Sequence, residues 1–152
     1  MRVFDTDDFS EIDTNDSLDG VQPLSGNGLS QSLGAAVADG KLYVSNNFSG
    51  TVSVFDLTTF SAVDTKPSDA GIQPLNLGGR TVDVVAKDNY VYVSDYDNGR
   101  VYVIDAETNT LVDTVSVGSG TWRLTVHGDY VYVANHSSGT VRVIDTNQYN
   151  IV

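Results

Sequence analysis

The 152 residues include 18 aspartates but only two glutamates, two histidines and no cysteine, so the chemistry on offer is that of carboxylates, two imidazoles and hydroxyls. Carboxylates in number suggest a hard cation first. Seven of them fall between Asp5 and Asp19, and Asp13 to Gly20 is spaced faintly like a calcium loop. Such a loop needs glycine at its sixth position and a bidentate glutamate at its twelfth. Counted from Asp13 those positions are Leu18 and Leu24; counted from Asn15 the glycine fits as Gly20 but the twelfth residue is Gly26. The stretch therefore reads as a solvated acidic loop, with calcium the lesser alternative and no other metal or cofactor expected. His127 ends one expected strand and His136 follows the next, which places them at opposite ends of a hairpin, roughly 20 Å apart at about 3.3 Å per residue. A shared zinc or haem site is not expected from that spacing.

Nucleophilic and nucleotide motifs are equally sparse. There is no Gly-x-Ser-x-Gly elbow and no phosphate-binding Walker loop, and Gly26-Asn27-Gly28-Leu29-Ser30-Gln31 lacks the third glycine of a dinucleotide fingerprint. No residue is nominated as catalytic. A net charge of -12 and a pI near 4.1 exclude a basic face for nucleic acid and disfavour anionic membranes. No apolar run approaches the roughly 20 residues of a membrane-spanning helix, and the opening Met1 to Asp8 is too acidic for a signal peptide. With 23 valines against three lysines, strand and turn formers dominate and helix formers are scarce. The composition is all-β.

The elements that would position any site come from an internal repeat. LYVSNNFSGTVSVFD from Leu42, VYVSDYDNGRVYVID from Val91 and VYVANHSSGTVRVID from Val131 align almost without gaps, their starts 49 and 40 residues apart. A partial copy opens the chain at Val3-Phe4-Asp5. The spacing predicts four short strands per unit, with hairpins at Asn47 to Gly50, Asp97 to Gly99 and His136 to Gly139, where glycine supplies the positive φ of a tight turn. Strands such as Val91-Tyr92-Val93 are apolar at both odd and even positions, so both faces of each sheet must be covered. Four-stranded sheets packed face to face around an axis meet that requirement, which is the β-propeller solution. The expected division is a half blade over 1–14, blades over 32–65, 81–117 and 120–152, and longer inter-blade loops over 15–31 and 66–80.

The boxes Tyr43-Val44-Ser45-Asn46, Tyr92-Val93-Ser94-Asp95 and Tyr132-Val133-Ala134-Asn135, with the Gly-Thr and Val-Ile-Asp parts that follow, resemble the YVTN-type propeller repeat. The resemblance covers nearly the whole chain and implies the fold. It also implies a place among cell-surface and surface-layer proteins, lactonase-like propellers, or the propeller parts of haem d1 and amine-oxidising enzymes, hence an extracellular, cell-surface or periplasmic location. Three blades and a half do not close a ring of the usual 4 to 8. The expected partners are therefore the remaining blades of a longer chain, or other copies of itself.

Two sets of residues stand out within that frame. Asp5, Asp56, Asp105 and Asp145 recur at the end of the third strand of each copy and read as turn residues whose carboxylates accept backbone N–H bonds. The hairpin face presents Phe48, Asp95, Tyr96, Asp97 and His136, to which the inter-blade connections add Gln22, Gln73, Arg80 and either Trp122 or its neighbour Arg123. Phe48 and Tyr96 are expected at equivalent hairpin positions, with His136 offset by one, forming a row of rings along one rim. Rings mixed with carboxylates suit recognition of a protein or a glycan. The expectation is a non-catalytic structural or binding module; the alternative is part of a periplasmic propeller enzyme, for which the inner strands offer only Asp83 and Arg123 as charged candidates. Asn15, Asn47 and Asn135 also begin glycosylation sequons.

Overall fold

The computed structural model describes residues 3–4, 6–7, 28–69 and 71–152. Among these every regular element is a strand: β1 (Ser32–Ala38), β2 (Lys41–Asn46), β3 (Thr51–Asp56), β4 (Leu75–Asn76), β5 (Thr81–Lys87), β6 (Tyr90–Asp95), β7 (Arg100–Asp105), β8 (Thr110–Ser116), β9 (Thr121–His127), β10 (Tyr130–Asn135), β11 (Thr140–Asp145) and β12 (Asn150–Ile151). They form three antiparallel sheets of four strands, each ordered as it runs in the chain: β1-β2-β3-β4, β5-β6-β7-β8 and β9-β10-β11-β12. This is a β-propeller fragment of three blades. No helix among the described residues is long and apolar enough to cross a membrane.

Strand alternation explains the stacking. In β7, Tyr102 and Ile104 point to the first sheet and join Tyr43, Val52, Val54, Val91 and Val93 in one core. Val101 and Val103, on the opposite face of the same strand, join Tyr92, Leu124, Val131, Val133 and Ile144 in a second core against the third sheet. The middle sheet is thus apolar on both faces because both are covered. The far face of the first sheet carries Leu42, Val44 and Phe55, packed by Val3 and Leu29. The remainder of the half blade expected at 1–14 lies largely outside the described residues, as does Asp5.

The segment 66–80 is not the inter-blade loop that the sequence suggested. Ser61 accepts from the Asp56 N–H, Ala62 bridges Phe55, Val63 donates to Val54, and β4 pairs with Thr51 and Val52, so the outer strand of the first sheet is split in two. The nine residues by which this repeat exceeds the next are inserted within that strand. An outermost strand tolerates such an insertion because only one of its edges is paired. The inserted loop is closed by the Thr65 N–H on the Gln73 carbonyl at 3.0 Å and by Asp64 Oδ1 accepting the Gln73 N–H at 3.1 Å.

Candidate functional site

The hairpins between second and third strands and the connections between sheets lie at the same strand ends. Gly99 O accepts from the N–H groups of Val117 and Gly118, while Tyr96 N–H donates to Arg80 O and His136 N–H to Gly120 O. Gly99 adopts φ +63, and a Cβ there would lie 2.5 Å from Gly118 O; close approach as well as turn conformation requires glycine. The pairs Asn46↔Thr51, Asp95↔Arg100 and Asn135↔Thr140 make every hairpin four residues long. Tyr96 therefore opens the second hairpin, equivalent to Asn47 and His136. Phe48 is equivalent instead to Asp97 and Ser137, one position further on.

That register corrects the expected row of rings. Tyr96, Trp122 and His136 form a cluster across the second and third sheets, with centroid separations of 5.5 Å for Tyr96–Trp122, 5.7 Å for Trp122–His136 and 6.4 Å for Tyr96–His136. The Arg80 guanidinium covers the Tyr96 ring at 4.1 Å. The Tyr96 hydroxyl and Ser137 Oγ are 3.1 Å apart, a second tie between the sheets. Phe48 stands apart at 67% exposure. Asp97 Oδ1 lies 3.5 Å from Arg80 Nε, a partly exposed pair worth little by itself.

Asp95 is not presented to solvent at all. Its Oδ1 accepts the N–H groups of Arg80, Asp97 and Asn98, and its Oδ2 accepts from Asn98 Nδ2 at 2.7 Å and the Tyr102 hydroxyl at 2.9 Å. A buried carboxylate is tolerable only when saturated in this way. Burial, and then the bond to Asp95, pushes the Tyr102 hydroxyl up to about 12. The recurring turn carboxylates are placed alike: Asp56 Oδ1 accepts the N–H groups of Thr58 and Thr59, Asp105 Oδ1 that of Thr108, and Asp145 Oδ1 that of Asn147. Backbone donors hold Asp56 and Asp105 below the ordinary 3.8.

Along the inner strands Arg123 Nη1 lies 3.6 Å from Asp83 Oδ1, and Asp83 Oδ2 accepts the Leu124 N–H at 3.0 Å. Two sequons fail sterically, because Asn47 and Asn135 are buried and their amides donate to Thr81 O and Val117 O. Asn15 and Gln22 lie outside the described residues. No cluster of three or more metal-ligating side chains occurs among the described residues. In the sequence Trp122 and Arg80 stand only beside the expected hairpins, and the box serines were not among the expected site residues. Ser45 Oγ donates to Val82 O and Ser94 Oγ to Trp122 O, each linking one blade to the next. The signal was visible as Ser, Ser, Ala at the third box position.

Residues 36–151 match the family described as "Lactonase, 7-bladed beta-propeller". The chain belongs to that family. No curated protein matches it in sequence. Among solved structures, the family fold is shared with Kuenenia stuttgartiensis hydrazine synthase at TM-score 0.69 and 18% identity, over 84% of this chain and 36% of that one. The computationally designed Ika4 protein aligns at TM-score 0.63 and 21% identity over 84% and 73% of the two chains. BamB from Moraxella catarrhalis aligns at TM-score 0.63 and 15% identity over 80% and 35%. The chain thus spans about a third of the natural proteins it resembles.

Proposed function

We propose that this chain is a sector of a larger propeller, a structural and binding module of an extracellular, cell-surface or periplasmic assembly, whose hairpin face recognises a protein or glycan. Further blades would complete the ring. The three Tyr-Val boxes support a YVTN-type relation within the family. The observation that carries the reading is the division of labour on the hairpin face: Asp95 and the rings of Tyr96 and Trp122 tie the blades together, whereas Phe48 and His136 remain exposed. A carboxylate buried under five donors is closed to a ligand, while an exposed ring offers area for stacking.

A second reading, a propeller enzyme, is favoured by the family match and by the Asp83–Arg123 pair on the inner strands. In that reading Arg123 would steady developing oxyanion charge and Asp83 would orient it. An immobilised panel of defined oligosaccharides, probed with the intact chain, separates the two. Phe48→Ser should weaken retention at an unchanged melting temperature, and adding His136→Ser should weaken it at least tenfold with only a small loss of stability, while Thr108→Ala with Asn147→Ala on the opposite rim should not weaken it. Equal retention by both variants would move the surface elsewhere. Hydrolysis of simple γ- and δ-lactones that is lost in Asp83→Asn would establish the enzyme reading instead.

A further inference from the structure

One strand pair, repeated three times, meets three different neighbours. Tyr43, Ser45 and Val52 of the first sheet are buried under the second, and Tyr92, Ser94 and Val101 of the second are buried under the third. The same positions of the third sheet are Tyr132, Ala134 and Val141, and there Val141 is 65% exposed. A groove of about 240 Å³ runs along this face, lined by Arg123, Leu124, Thr125, Tyr132, Ala134 and Val141. It shares Ala134 and Val141 with a hollow of about 350 Å³ beside Trp122 and His136, where the buried Asn135 Oδ1 lacks a hydrogen-bond partner among the described residues.

The filled copies define what fits. Each arriving element is an inner strand opening with a buried threonine: Thr81 donates to the carbonyls of Asn46 and Thr51, and Thr121 to that of Gly118. The carbonyl of the next residue, Val82 or Trp122, accepts the box serine hydroxyl. Third residues of adjacent inner strands then lie side by side. Asp83 packs against Gly34, where a Cβ would come within 2.8 Å of its carboxylate, and Arg123 pairs with Asp83. The third sheet departs from this pattern twice on one face. Ala134 removes the hydroxyl donor, and Arg123, the cross-strand partner of Ala134, brings a guanidinium beside the place it vacates.

We propose that the open face of the third sheet is the seat of a further blade whose inner strand opens with threonine or serine and carries a carboxylate at its third residue, held by Arg123. This rests on the reading that further blades complete the ring, but not on what the hairpin face binds. A second copy of this chain fits poorly. Its first inner strand reads Ser32-Leu33-Gly34, with no charge at the third residue, and the far face of its first sheet is already packed by Val3 and Leu29.

The strand Thr81-Val82-Asp83 meets both requirements and supplies the probe. Val152 corresponds to Val112, so the full chain can be extended through a copy of residues 113–120 into a copy of residues 81–117. The extension should slow amide hydrogen exchange in β10 and β11 at least tenfold, with β6 and β7 reporting in every variant that the core is folded. Arg123→Asp should abolish the slowing, and Asp83→Arg in the appended copy should restore it. In a separate pair, Ala134→Ser should rescue Arg123→Gln by returning the hydroxyl. Unchanged exchange in β10 and β11 on extension, or slowing indifferent to Arg123, overturns the proposal. A discrete dimer of the unextended chain that protects β10 and β11 also overturns it, in favour of a second copy.

Discussion

The seam between the first and second sheets and the seam between the second and third are built from one repeat, yet they are fastened differently. Both share the valine core. In the first, the Tyr43 hydroxyl reaches across to Ala106 O at 3.0 Å and Asn109 Oδ1 at 2.7 Å. In the second, the equivalent Tyr92 hydroxyl is buried without a partner among the described residues; Tyr149 stands where Asn109 would be and turns its ring onto Tyr90 at 5.8 Å. At the hairpin end the difference reverses. The first seam has the Asn47 amide on Thr81 O and the Thr81 hydroxyl on the carbonyls of Asn46 and Thr51, and the second has the ring cluster under Arg80. The apolar interior fixes the stacking of blades, and the polar fastenings at its two ends are free to vary from seam to seam.

The largest effect expected from this contrast is positional. Tyr43→Ala empties a fully buried site between two sheets and should cost about 3–5 kcal/mol in denaturant unfolding. Tyr132→Ala, the same box residue on the open face, should cost about 1–2 kcal/mol less, since Tyr132 is only half-buried and keeps part of its surface in water. Comparable costs would mean that the third sheet is as well packed as the first.

Next in size is the fastening itself. Asn109 sits at φ 55 in the left-handed region, which asparagine tolerates, and accepts from Tyr43; Asn109→Ala removes both advantages and should cost about 1–2 kcal/mol. Tyr43→Phe should cost about 1 kcal/mol, whereas Tyr92→Phe should be neutral or slightly stabilising because it deletes an unpaired buried hydroxyl. A Tyr92→Phe penalty equal to that of Tyr43→Phe would show the Tyr92 hydroxyl to be bonded in solution.

The smallest effects are pH-dependent. Tyr102 keeps its proton up to about pH 12 when folded but ionises near 10 when unfolded, so the stability it contributes is intact below pH 10 and lost as pH rises toward 12. Alkaline melts should therefore steepen above pH 10, and Tyr102→Phe should flatten that limb. Asp56 and Asp105 act in the opposite sense. Held below 3.8 in the fold, they stabilise above that pH and cease to as pH falls through their folded values, so Asp105→Asn should shallow the acid limb of the same profile.

Much of this architecture was legible because the repeat imposes it. Alternation on both faces of Val91-Tyr92-Val93 demanded sheets on either side, and the glycines at 50, 99 and 139 marked the hairpins. The split outer strand was not legible, since a 49-residue spacing tells that nine residues are inserted but not between which hydrogen bonds. The site was legible only in outline. Asp95 looks like an exposed turn carboxylate in sequence; it is buried because Tyr102, seven residues on, returns beneath the hairpin to donate to it. Tyr96 was aligned with Phe48 by ring type rather than by register, and a one-residue slip changes which neighbour a side chain meets. The fastening of Tyr43 by Asn109 joins residues 66 apart, beyond any local pattern.

Position in the stack, rather than the shared box sequence, decides how firmly each blade is held. Native-state hydrogen exchange, read amide by amide on the intact chain, tests it most directly. Exchange should be slowest in β6 and β7, which are covered on both faces, and faster by at least an order of magnitude in β10 and β11. Equal protection of β6, β7, β10 and β11 would contradict it.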